Sequence, residues 1–123
     1  IYVGGTTMPA LRRAARYGDG WVSVIHDMDA VADMLAQLER FRREFGRENE
    51  PFDIMMHCPD AQTVDDIRRL EDIGVTDLQV TPWSVPGILA EMGVGAIMQQ
   101  QPPLDVKLEA IKRYAGQVIA RFA

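Results

Sequence analysis

The chain has 123 residues, a formal net charge of −5, 47% apolar residues and one cysteine. That is the size of one domain with enough apolar residues for a packed core. An acidic chain lacks the basic surface that nucleic acid or anionic lipid requires, no apolar run approaches the roughly 20 residues that span a bilayer, and the lone Cys58 cannot close an internal disulfide, so a reducing cytoplasm is the expected setting.

Ile1 to Val3 reads as a short strand of β-branched and aromatic residues. Pro9 suits the first turn of a following helix. Leu11, Ala14, Ala15 and Tyr17 give that helix an apolar stripe, and Gly18 ends it. Trp21 to Ile25 is the second strand, and Asp27 and Asp29 after it are N-cap candidates. Val31, Met34, Leu35, Leu38, Phe41 and Phe45 recur at helical spacing until Gly46. Phe52 to Cys58 is a nearly continuous apolar run, the pattern of a parallel strand covered on both faces. Thr63 and Asp66 have the spacing of a capping box. Val64, Ile67, Leu70 and Ile73 form the next helical stripe, and Gly74 stops it. Asp77 to Thr81 is the fourth strand. Pro82 to Pro103 is long and irregular, with a short helix expected near Ile88 to Met92. The last helix starts near Asp105, with Leu108, Ile111, Tyr114, Val118, Ile119 and Phe122 expected on its buried side.

The order is therefore β-α-β-α-β-α-β-α, which implies βαβ units and a parallel sheet. Four such units make either a small open sheet or the C-terminal half of a (β/α)8 barrel, which takes about 250 residues in full. The half barrel is favoured because the chain begins and ends at unit boundaries. The residue-rich loops, GGTTMP, HDMD, HCPDAQ and TPWSVPG, also follow strands, on the side where such barrels place their sites.

The first of these loops carries the strongest chemistry. Gly4 and Gly5 allow turns and close backbone approach to a ligand. Thr6 and Thr7 add hydroxyls at a helix N-terminus, whose free N–H groups and dipole favour an anion. The combination suits a phosphate. It also suits a plain strand-to-helix turn with a threonine cap. Neither GK[ST] nor G-x-G-x-x-G is present, so it is neither of the common nucleotide loops. His26 and His57 fall at strand C-terminal ends and are substrate-pocket candidates, because imidazole titrates near neutrality. Trp83, after the fourth strand, could line the same mouth. Arg12 and Arg13 read as solvated charges. Cys58 reads as a buried inert thiol, Trp21 as a core residue, and no spacing of His and Cys suggests a metal site.

The stretch IYVGGTTMPALRRAARYGDGWV resembles the corresponding part of the luciferase-like monooxygenase family, which includes bacterial luciferases and deazaflavin (coenzyme F-420) oxidoreductases. The helix DAVADMLAQLERFRREFGR and the segment VDDIRRLEDIGVTDLQV follow in the family's order. The resemblance implies one domain over residues 1–123, the last four βα units of a TIM-like barrel. It implies an FMN or coenzyme F-420 cofactor, with its phosphate held by Gly4, Gly5, Thr6, Thr7 and the adjacent Met8. Trp83 could then stack on the ring. The family's catalytic side chains come mostly from the half that precedes this sequence, so the chain alone is expected to be inactive. The alternative is a non-catalytic half barrel that binds a phosphorylated ligand or serves as an assembly module. Open strand edges and an apolar inner face lead to the expectation of a homodimer, or of a missing N-terminal half.

Overall fold

The computed structural model describes residues 1–23, 28–59, 61–84, 99 and 102–123, with no side-chain description at 28 and 29. Four strands, β1 (Tyr2–Gly4), β2 (Gly20–Ser23), β3 (Asp53–His57) and β4 (Asp77–Gln79), form a parallel sheet in the order β1-β2-β3-β4. Helices α1 (Met8–Tyr17), α2 (Met28–Glu44) and α3 (Val64–Asp72) make the crossovers. Helix α4 (Leu104–Gln117) and a 3-10 turn (Ile119–Arg121) follow β4. Val24 and Ile25, the Asp27 and Asp29 caps, and the short helix near Ile88 to Met92 lie outside the described residues or side chains.

The helix boundaries follow local chemistry. Thr7 caps α1 by accepting from the Ala10 N–H at 3.4 Å, and Pro9 occupies the first turn. The Thr63–Asp66 capping box of α3 forms in both directions. Gly46 and Gly74, at the ends of α2 and α3, have φ of +67° and +102°, the left-handed conformation that glycine adopts without penalty.

The core lies on one face of the sheet. Trp21, Ser23, Ile54, Met56 and Cys58 are buried there, with Val3 and Leu78 packed alongside. Leu11, Ala14 and Ala15 of α1, Val31, Leu38 and Phe41 of α2, and Leu70 of α3 cover them. The opposite face carries Tyr2, Val22, Asp53, Met55, His57, Asp77 and Gln79, all exposed or half-buried. The expectation that β3 is covered on both faces is therefore overturned: Met55 is 37% exposed. With strands added in sequence order and right-handed crossovers, every helix falls on the same side of the sheet. The other face is also more polar than expected. Along one row Tyr2, Gly20 and Asp53 are register partners. The Tyr2 hydroxyl reaches over Gly20 to donate to Asp53 at 2.6 Å, a bond that raises the phenol's pKa.

Two stripes differ from the sequence expectation. Tyr17 is 61% exposed at the end of α1. In α4 the buried positions are Ala110 and Tyr114, continued by Val118, whereas Leu108, Ile111, Ile119 and Phe122 are each roughly half exposed. Tyr114 fixes that choice. Its hydroxyl donates to the Ala61 carbonyl at 3.2 Å, and its burial raises its pKa.

Two glycines should respond in opposite directions to alanine. A Cβ at Gly20 would sit 2.6 Å from the Tyr2 ring and 2.8 Å from the Asp53 carbonyl oxygen, whereas one at Gly116 in α4 meets nothing within 4 Å. Gly20→Ala should destabilise by about 1–3 kcal/mol and Gly116→Ala should stabilise by about 0.5–1 kcal/mol. Urea unfolding of the two variants beside the wild type checks both signs.

Candidate functional site

The C-terminal ends of the strands carry the candidate residues. Gly4 closes β1, and Gly5, Thr6 and Thr7 lead into α1. Gly5 has φ of +111°, and a Cβ there would lie 2.8 Å from the Ala10 Cβ, so both backbone and packing require glycine. Gly4 is different: a Cβ would make only ordinary contact with the Val22 carbonyl. The Thr7 side chain is the helix cap. The Thr6 hydroxyl is exposed and has no partner among the described residues. Met8 is 46% exposed beside it.

The electrostatics of the loop suit an anion. No acidic residue occupies the first turn of α1, whereas Asp65 and Asp66 fill that turn in α3 and Asp105 lies in that of α4. The α1 dipole thus meets no carboxylate of its own helix. Arg12 is not a source of positive charge for the loop. Arg12 pairs with Glu44 at 2.7 Å and lies over the rings of Phe41 and Phe45, which ties α1 to α2. The residues present therefore fit a phosphate held by backbone N–H groups and a hydroxyl.

A neighbour not anticipated from the sequence pins this loop. Trp21 is fully buried, as expected of a core residue, but its indole Nε1–H donates to the Gly5 carbonyl at 2.8 Å. The signal available in the sequence was general: a buried tryptophan needs an acceptor for its N–H. Ser23, one residue past the Gly4–Val22 pair, is also buried, and its hydroxyl has no partner among the described residues.

His57 ends β3 on the bare face. Its Nε2 lies 2.8 Å from the Thr81 Oγ1, and burial lowers its pKa, favouring neutral imidazole. Gln62 secures this corner by donating to the carbonyls of Pro59 (2.7 Å) and Thr81 (3.2 Å). Thr81 and Gln62 were not singled out in the sequence, because neither belongs to a motif. Trp83 is half-buried beyond β4, with the Lys107 ammonium 5.4 Å from its ring centre. It borders a groove of about 490 Å³ against α4, lined by Pro82, Ser84, Val106 and Arg113 among others. His26 lies outside the described residues. The loop and His57 share one end of the sheet but are two strands apart, roughly 10 Å at the usual strand spacing.

Among the described residues no group of three or more His, Cys, Asp or Glu side chains could hold a metal ion. No helix among them is long and apolar enough to cross a membrane. Cys58 is buried and forms no disulfide.

A parallel α/β sheet covered on one face, with the candidate residues at its strand C-termini, defines the class. Within it, the family model of the luciferase-like monooxygenases matches residues 1–76, and the chain belongs to that family. Similar proteins include uncharacterized proteins of Mycobacterium bovis and of two Mycobacterium tuberculosis strains. Each is 37% identical over 121 residues, covering 98% of this chain and 38% of the relative. The chain thus spans about two fifths of the length of these relatives. No solved structure matches it significantly.

The His57 environment gives a pH dependence. Burial depresses the folded-state pKa below that of a solvated imidazole, about 6.5, so the unfolded chain binds more protons as the pH falls past that value. This contribution to stability is fully present above pH of about 6.5 and is lost as the pH falls through the folded pKa. Thermal midpoints between neutral and mildly acidic pH should fall with acidification in the wild type and fall less steeply in His57→Gln. Equal slopes would mean that burial does not bias this imidazole.

Proposed function

We propose that residues 1–123 are the C-terminal half of a TIM-like barrel in a flavin- or deazaflavin-dependent oxidoreductase, and that the β1–α1 loop anchors the cofactor phosphate. The observation that carries this reading is the Gly5–Met8 turn. It combines a glycine-only backbone, an acid-free helix start and a free Thr6 hydroxyl in a chain of the luciferase-like family. FMN or coenzyme F-420, when bound, supplies the redox chemistry. The chain's own residues orient it. Gly4 admits close approach, Gly5 shapes the turn, and Thr6 donates to phosphate oxygen. Thr7 holds the helix start that aims the dipole, and Met8 flanks the loop. His57, backed by Thr81, offers a neutral imidazole toward substrate from the same end of the sheet, and Trp83 lines the mouth beyond the neighbouring strand β4.

The same reading accounts for surfaces this chain leaves uncovered. The bare sheet face, with Met55 and Val22, and the outward stripe Leu104, Leu108 and Ile111 of α4 are where further βα units would pack. We assign their cover to the preceding half in a longer chain, and to a second copy when the chain stands alone. Catalysis by the isolated chain is not part of the proposal. As a non-catalytic half barrel it would still bind a phosphorylated ligand through the same loop.

FMN and riboflavin differ only by the phosphate, so their relative affinity isolates the anchor. The wild type should bind FMN more tightly. Thr6→Ala should reduce that preference by about tenfold, the value of one charge-assisted hydrogen bond, and leave riboflavin binding unchanged. Fluorescence titration of both flavins measures it. Equal loss for the two flavins would place the phosphate elsewhere.

A further inference from the structure

The Trp21–Gly5 hydrogen bond does more than satisfy a buried indole. Gly5 is fixed from two sides: its carbonyl oxygen is held by Trp21 Nε1–H at 2.8 Å, and its Cα is pressed so close to α1 that a Cβ would lie 2.8 Å from the Ala10 Cβ. The next peptide plane is rigid and trans, as no cis bond occurs among the described residues. In a trans peptide the carbonyl of one residue and the N–H of the next point in opposite directions. With the Gly5 oxygen drawn toward the fully buried Trp21, the Thr6 N–H is directed away from the core. Trp21 therefore sets the aim of a backbone donor without facing the ligand itself.

We propose that Trp21 is a positioning residue. Its indole locks the Gly5–Thr6 peptide so that the Thr6 N–H is presented, before binding, to a phosphate monoester at the loop. The inference rests on the phosphate reading of that loop and names the part of the core that preorganises it. Preorganisation of this kind raises affinity by removing the cost of ordering the loop on binding.

The test uses FMN and riboflavin on the full chain with two changes at one position. Trp21→Phe removes the donor and some volume. Replacement of Trp21 by 3-benzothienylalanine exchanges the N–H for sulfur at nearly the same shape, so it reports even where the phenylalanine variant does not fold. In each folded variant the FMN-over-riboflavin preference should fall by about tenfold while riboflavin affinity stays within twofold. A merely structural tryptophan would weaken both flavins alike, and that result, or an undiminished preference in the benzothienyl variant, overturns the latch while leaving the phosphate site standing. A wild type that binds FMN no better than riboflavin overturns the phosphate site and the latch together.

Discussion

The constraint on which the rest depends is the repetition of one crossover in one direction. Strands in the order β1-β2-β3-β4, all parallel, give a sheet that never reverses its winding. Each right-handed connection then returns its helix to the same side. One face is sealed by α1, α2 and α3, and the other is left with Tyr2, Met55, Asp77 and Gln79 toward solvent. A doubly wound sheet would need a switch of strand order, and none occurs among the described strands. The position of the candidate loop follows from the same rule. All the strands run one way, so their C-terminal ends, with Gly5, Ser23, His57 and Thr81, gather at one end of the sheet.

Much of this was legible in the chain. The strand–helix alternation, the glycine stops at Gly46 and Gly74, the Thr63–Asp66 box and the core positions of α2 all follow from local chemistry, and local chemistry is what a sequence displays. What was not legible depended on neighbours. An apolar run such as Phe52 to Cys58 reads the same whether one face or two are covered, and Met55 turns out to lie on the open face. Helix α4 carries two apolar stripes, and periodicity cannot choose between them. The Tyr114 bond to Ala61 does.

The site shows the same division. The Gly4 to Met8 stretch stood out as a candidate because a glycine pair and two threonines at a strand-to-helix turn suit either a phosphate or a plain capped turn. The partition of labour inside it could not. Thr7 is committed to the cap, Thr6 is free, and Gly5 rather than Gly4 is required by the backbone. The arginines that seemed mere surface charge include one, Arg12, that bridges α1 to α2 through Glu44 and two phenylalanines. In the proposed phosphate site, anion binding falls to backbone and hydroxyl groups, which act over short range and demand that the loop be held in place. Trp21, rooted in the core, does that.

The central claim is the proposal that this chain is one half of a closed α/β structure, with its bare sheet face and the outward stripe of α4 covered by other units. Molar mass in solution, by size exclusion with light scattering, tests it most directly. The account predicts a dimer, twice the 13.8 kDa of the chain, whose dissociation on dilution uncovers Met55 and the outward α4 residues Leu104, Leu108 and Ile111 to a hydrophobic dye. A monomer that unfolds cooperatively and binds no dye would contradict it, because the face described here would then need no partner.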